Sequence, residues 1–186
     1  MTVKCYCSVV LLLLCGAVHA QTTVQSNELK GYNSVYFSLM GPGNFYSLHY
    51  DVRFQPNYLG VGVRIGVGST LGYTESHYSG DESRNINNRH PAHLTIPFGL
   101  NYLFGKADRG GRLEVGVGFT YVDGDALWFD SRTTSSAWLA CPSVAYRHYY
   151  FNNHLMWKVG FTPIVSLTEY GGYPVPWAEG SIGLAF

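Results

Sequence analysis

Apolar residues recur on alternate positions through much of this chain. The stretch RLEVGVGFTYV, residues 112–122, places apolar side chains at 113, 115, 117, 119 and 121. Glycine, threonine and one glutamate fill the positions between them. A period of two is typical of a β-strand with one apolar face. The period alone leaves open whether that face lies against a protein core or against lipid.

The same alternation predicts strands elsewhere. It recurs in the segments 58–68, 93–104, 155–162 and 181–186. The sequence Gly-Pro-Gly-Asn at 41–44 indicates a tight turn, which divides 34–54 into strands at about 34–40 and 44–54. A single strand over 34–54 is the alternative and gives seven strands. Because single-chain bacterial barrels have an even number of strands, we predict an all-β fold, an eight-stranded antiparallel transmembrane β-barrel with up-and-down order.

Three prolines fall inside the predicted strands: Pro97, Pro142 and Pro163. Proline has no backbone N–H to donate to a neighbouring strand, and a closed barrel has no free edge. All three lie toward the longer connections. We therefore expect bulges or early loss of pairing at that end of the barrel.

The connections between predicted strands alternate in length. Those at 55–57, 105–111 and 150–153 are short, and those at 76–91, 123–135 and 169–173 are longer or more polar. Short turns at one end and longer loops at the other are typical of an outer-membrane barrel.

Composition favours an apolar face that looks outward. Charged residues make up 13% of the chain, and 12 Lys and Arg balance 12 Asp and Glu. No basic surface is expected, so no nucleic-acid partner is predicted. The second face of the predicted strands is largely glycine, serine and threonine, which suits a narrow lumen better than a surface in water.

The first twenty residues form a predicted secretory signal. Lys4 precedes the apolar run 9–14, and small residues lead to a cleavage site between Ala20 and Gln21. We assign 1–20 to the signal, 21–32 to an N-terminal periplasmic segment and 33–186 to the barrel. Three of the four cysteines belong to the signal, so Cys141 is left as a packing residue without a disulfide.

Charged residues on the small-residue face predict a network inside the lumen. Its members are Asp51, Arg53, Arg64, Glu114, Arg147, Lys158 and Glu179. Eight strands leave an interior that side chains just fill, so we expect a closed lumen, with a narrow, porin-like pore as the alternative. Aromatic residues near strand ends are expected in interfacial girdles: Tyr58, Tyr102, Phe104, Tyr146, Tyr149, Trp157 and Trp177.

The segments FYSLHYDVRF, LTIPFGLNYLFGK, RLEVGVGFTY and the final PWAEGSIGLAF together resemble the small outer-membrane β-barrel proteins of Gram-negative bacteria, of the eight-stranded OmpA-like type. This resemblance implies a bacterial outer-membrane location with both termini periplasmic. It implies contact with outer-membrane lipid and lipopolysaccharide, and Phe186 as an assembly signal for the barrel-assembly machinery. A structural or surface-interaction role is expected, and the extracellular ligand is unknown.

An enzymatic alternative rests on Glu75, His77 and Ser79, which share strand parity. The set resembles the arrangement in outer-membrane lipid A deacylases, with Ser79 as nucleophile, His77 as base and Glu75 as the orienting group. These residue types are also ordinary in an exposed polar loop. We therefore expect no enzyme and keep the lipid acyl hydrolase as the alternative.

No metal or other cofactor is predicted. His90 and His93 have the spacing H-x-x-H, with His77 nearby in sequence, but no carboxylate stands at a fixed distance from them. Solvated loop histidines are the expected interpretation. The glycines of GVGVRIGVG do not form a dinucleotide motif, because no helix is predicted to follow them.

Overall fold

A computed structural model describes residues 33–55, 59–77, 86–106, 110–124, 136–151, 154–167 and 174–186. The predicted signal at 1–20, its cleavage site and the segment 21–32 lie outside the described residues. Across the described ranges, no helix is long and apolar enough to cross a membrane.

The described chain is almost entirely β-structure. The strands are β1 Asn33–Met40, β2 Tyr46–Arg53, β3 Gly60–Ser69, β4 Tyr73–His77, β5 Ile86–His90, β6 Leu94–Gly105, β7 Gly111–Val122, β8 Ala137–Ala140, β9 Ser143–Tyr150, β10 Leu155–Phe161, β11 Val165–Ser166 and β12 Ala178–Ala185. A 3₁₀ turn at Gly41–Gly43 separates β1 from β2. The segment 34–54 therefore forms two strands, because the Gly-Pro-Gly turn ends the first one.

The strands close into a barrel. β1 pairs with β2 on one side and with β12 on the other, and all neighbours are antiparallel. β8 and β9 both pair with β7 and act as one wall strand, as β10 and β11 do together. The predicted all-β, eight-stranded antiparallel barrel is confirmed. β4 and β5 form a separate two-stranded sheet between β3 and β6.

Two prolines interrupt the wall without shifting its register. Pairing between β9 and β10 ends at Val144 with Phe161, and pairing between β8 and β11 ends at Ala140 with Val165. The interrupted segments contain Pro142 and Pro163. Because the residue spacing across the gap is the same on both strands, the prolines cause a local loss of hydrogen bonds and not a bulge.

Pro97 acts in a similar way on the other side of the barrel. Its strand stays paired with β7, where Pro97 is opposite Thr120. Between β3 and β6, however, pairing stops at Ile65 with Phe98 and resumes at Gly68 with Thr95. The missing N–H of Pro97 explains why this ladder is interrupted on one side only.

The interior contains three zones along the barrel. Near the longer connections lies an apolar cluster of Val122, Ala137, Leu139, Cys141, Ile164 and Trp177. Near the opposite end, Tyr36, Tyr149, Met156 and Ala185 pack together. Charged side chains lie between these zones. The girdle interpretation was wrong for Tyr149 and Trp177, which are 3% and 6% exposed and point inward. Tyr58 lies outside the described residues.

Candidate functional site: the charged lumen

The seven charged residues that parity assigned to the lumen all have buried side chains in the structure. They are Asp51, Arg53, Arg64, Glu114, Arg147, Lys158 and Glu179. They come from β2, β3, β7, β9, β10 and β12. An inward position on each strand brings them together, since residues two apart on a strand share a face.

Arg147 is the centre of the network. Its Nη2 lies 2.8 Å from Oδ2 of Asp51 and 2.5 Å from Oε2 of Glu114. Its Nη1 donates a hydrogen bond of 3.2 Å to the hydroxyl of Tyr149. The planar guanidinium thus joins two carboxylates from opposite parts of the wall, which a single ammonium could not orient in the same way.

The carboxylate of Asp51 has three donors: Arg147 on β9, Arg53 on its own strand and Asn101 on β6. Arg53 Nη2 lies 2.9 Å from Asp51 Oδ2, and Asn101 Nδ2 donates to the same oxygen at 3.1 Å. Arg53 also donates from Nη1 to the carbonyl of Gly60 at 3.2 Å. A Cβ on Gly62 would lie 2.8 Å from Cζ of Arg53, so glycine at 62 leaves room for this guanidinium.

Glu114 and Glu179 are joined through Lys158. Nζ of Lys158 lies 2.6 Å from Glu179 Oε1 and 3.6 Å from Glu114 Oε1. Arg64 Nη1 lies 3.5 Å from the same oxygen of Glu114. The network is therefore continuous across the bore from β2 to β12.

Hydroxyl groups complete the surroundings of Glu179. Ser181 and Thr162 each donate to its carboxylate at 3.2 Å, and Ser38 donates at 3.4 Å. A buried carboxylate needs such donors in addition to a cation, because burial removes its contacts with water. The carboxylate of Glu179, at the end of the network, is thus in contact with one cation and three hydroxyl groups.

Three more side chains point into the lumen on the same alternation, but the sequence interpretation did not include them: Arg112, Tyr36 and His49. Arg112 is 1% exposed, and its Cζ lies 4.5 Å from the centre of the Tyr149 ring. Tyr36 lies beside the network, with Lys158 Nζ 4.9 Å from its ring centre. His49 stacks on Tyr36 at 4.9 Å. Arg112 has the same parity as Glu114, so the alternation itself was the signal that would have identified it.

The other candidate residues are only partly covered by the structure. Ser79 lies outside the described residues. Glu75, His77 and His90 belong to β4 and β5, but their side chains are outside what the structure describes. The amide of His93 donates to Thr70 Oγ1 at 2.8 Å. Within the described part of the chain, no group of three or more His, Cys, Asp and Glu side chains is placed to hold a metal ion.

Comparison with solved structures shows a similar barrel. The fold is similar to that in the crystal structure of the N-terminal β-barrel domain of Pseudomonas aeruginosa OprF, with a TM-score of 0.55. The two are 14% identical, and the match covers 86% of this chain and 98% of the other. No protein-family model matches the sequence. No curated protein matches it either.

Proposed function

We propose that this chain is an integral protein of a bacterial outer membrane, in which a closed barrel has a structural role and carries outward loops for surface interaction. The likeness in fold to the OprF barrel domain supports this architecture. The proposal rests mainly on one observation, the reversed placement of charged and apolar side chains.

That reversal is visible within a single strand. On β12, Ile182 and Leu184 are 59% and 61% exposed, whereas Glu179 is 2% exposed. In a protein surrounded by water, the apolar residues would face the core and the carboxylate would face solvent. An apolar outer surface and an ionic interior are the arrangement expected when lipid is the surrounding medium.

Outward aromatic residues mark two levels of the wall. Tyr121 and Trp138 are in contact near the longer connections, with ring centres 5.3 Å apart. Tyr146 and Trp157 are in contact toward the opposite end, 5.6 Å apart. Amphipathic rings are favoured where lipid meets water. Two such levels support a barrel wall that crosses the apolar layer between them.

The filled interior favours a structural role over a pore. Paired charges occupy the middle of the lumen, and tightly packed side chains lie on both sides of them. Phe186 completes the wall, because its amide and carbonyl exchange hydrogen bonds with Asn33 at 2.9 and 3.0 Å. The C-terminal residue thus takes part in closing β12 onto β1.

The test is membrane assembly in a Gram-negative host. Wild-type protein should fractionate with outer membranes and migrate differently on gels before and after boiling. Deleting Phe186 removes both of its hydrogen bonds to Asn33 and should reduce the assembled fraction. Phe54→Ala is the control for loss of an exposed phenylalanine ring (63%) that takes no part in closing β12 onto β1. Recovery of wild-type protein in the soluble fraction would overturn the proposal.

A further inference from the structure

The turn between β1 and β2 lies inside the barrel. Gly41, Pro42 and Gly43 are all buried, and Asn44 is 1% exposed. Positive φ angles occur within and on both sides of this turn, at Met40 (61°), Gly41 (82°) and Asn44 (74°). Positive φ is unusual outside glycine, so the inward path is imposed by the contacts around the turn.

Three side chains from different parts of the wall hold the turn. Thr120 Oγ1 on β7 donates to the carbonyl of Pro42 at 2.5 Å, and Thr95 Oγ1 on β6 donates to the carbonyl of Gly43 at 2.9 Å. Near β12, Nε1 of Trp177 donates to the carbonyl of Asn44 at 3.2 Å. These bonds satisfy backbone carbonyls that would otherwise be buried without partners.

The turn separates the charged network from the apolar cluster. On one side, a Cβ on Gly41 would lie 2.7 Å from Cγ of Glu179, so the turn rests directly on the network. On the other side, Phe45 and Trp177 meet edge to face, with ring centres 5.5 Å apart. The bore is therefore closed by peptide backbone and aromatic rings at a level distinct from the ion pairs.

We propose that the β1–β2 turn is an internal stopper, which seals the lumen independently of the charged network, and that its displacement opens a path for ions. The inference rests on the proposed membrane location. A polar, charged layer can exchange ions and water, whereas an apolar constriction excludes them by dewetting. The turn with its aromatic cover is thus a second barrier in series with the charged layer.

The test combines conductance with chemical access on the same proteins. Thr95→Val with Thr120→Val removes two donors to the turn and keeps the shape of the wall. Thr70→Val is the matched control, because Thr70 is also buried but its hydroxyl bonds the amide of His93. In planar bilayers, wild-type protein, the control and Glu114→Gln should be silent. The double variant should show openings whose total open time is at least about tenfold above the background level recorded with wild type.

Access of a water-soluble thiol reagent to the turn is measured in a Cys141→Ser protein that carries Pro42→Cys. A membrane-impermeant thiol reagent should label position 42 slowly when the turn is in place, and about tenfold faster or more in the Thr95→Val, Thr120→Val protein. Conductance and labelling should rise together. A rise in only one of them, or in neither, would overturn the proposal, as would large conductance from Glu114→Gln alone.

These outcomes are distinct from a failure of the membrane proposal. Insertion is scored first for every variant, from heat-modifiable gel mobility in lipid vesicles. If wild-type protein does not insert, the proposed function fails before gating is measured. If all proteins insert and the double variant stays silent, only the stopper is refuted.

Discussion

Pro142 and Pro163 lie directly opposite each other in the barrel wall, at a pair of positions where other residues would donate their N–H groups to each other. The neighbouring amides all point the other way, since Cys141 bonds Gly118, and Thr162 bonds Trp177. Alternate residues of a strand point to opposite neighbours. Two facing prolines therefore remove both hydrogen bonds of one residue pair.

Restoring either N–H should strengthen the wall. Pro142→Ala or Pro163→Ala supplies a donor to the facing carbonyl, worth about 0.5–1.5 kcal/mol for each bond formed. Replacing proline also raises the entropy of the unfolded chain, so the effect is measured relative to Pro176→Ala, an exposed proline outside the strands. The measurement is the free energy of unfolding in lipid or detergent. Equal values for all three variants would contradict the proposed geometry.

The charged network should respond strongly to the loss of one carboxylate charge. Glu114→Gln keeps the size of the side chain but leaves Arg147 and Lys158 with one anion fewer. Breaking a buried pair in this way costs about 3–5 kcal/mol. Urea unfolding followed by tryptophan fluorescence measures the loss. Asp123→Asn, at an exposed position, is the control and should change stability little; similar losses for both variants would count against a network that stabilises the barrel.

The outer face of β7 should tolerate hydroxyls better than charges. Val117 is 51% exposed and points away from the lumen. Val117→Arg should cost about 2–4 kcal/mol if this position lies near the bilayer midplane. Val117→Ser should cost less, because a hydroxyl is easier to place in lipid than a cation. The readout is the unfolding free energy of protein folded into vesicles, and an arginine variant as stable as the serine variant would argue against lipid at this surface.

Tryptophan fluorescence should separate the interior of the barrel from the outer face of its wall. Trp138 is exposed on the wall, whereas Trp177 is buried inside. Single-tryptophan proteins are compared in vesicles with brominated acyl chains, which quench only by contact. We expect strong quenching when only Trp138 is retained and little quenching when only Trp177 is retained. Strong quenching of Trp177 would show that this ring faces lipid.

Alternation along the chain determined most of the architecture. It predicted the strands of the barrel wall and the face that their residues occupy, because a strand has only two faces and one of them here is small and polar. The number of strands was decided by the turn signal at 41–44 and the even strand number of such barrels. The parity of Glu114, Arg147 and Lys158 was therefore enough to assign them inward. The same rule, applied one position before Leu113, would have added Arg112.

Tertiary structure decided which inward residues meet and how the ends are filled. Closure of β1 onto β12 sets the heights that bring Arg147 beside both Asp51 and Glu114, and those heights depend on the stagger of the whole barrel. Aromatic composition near strand ends did not separate inward Tyr149 and Trp177 from outward Tyr146, although Tyr149 has the parity of inward Arg147 and Trp177 that of inward Glu179. The inward path of the turn at Gly41–Gly43 depends on donors from distant strands, so the local turn signal located the turn but not its side of the wall.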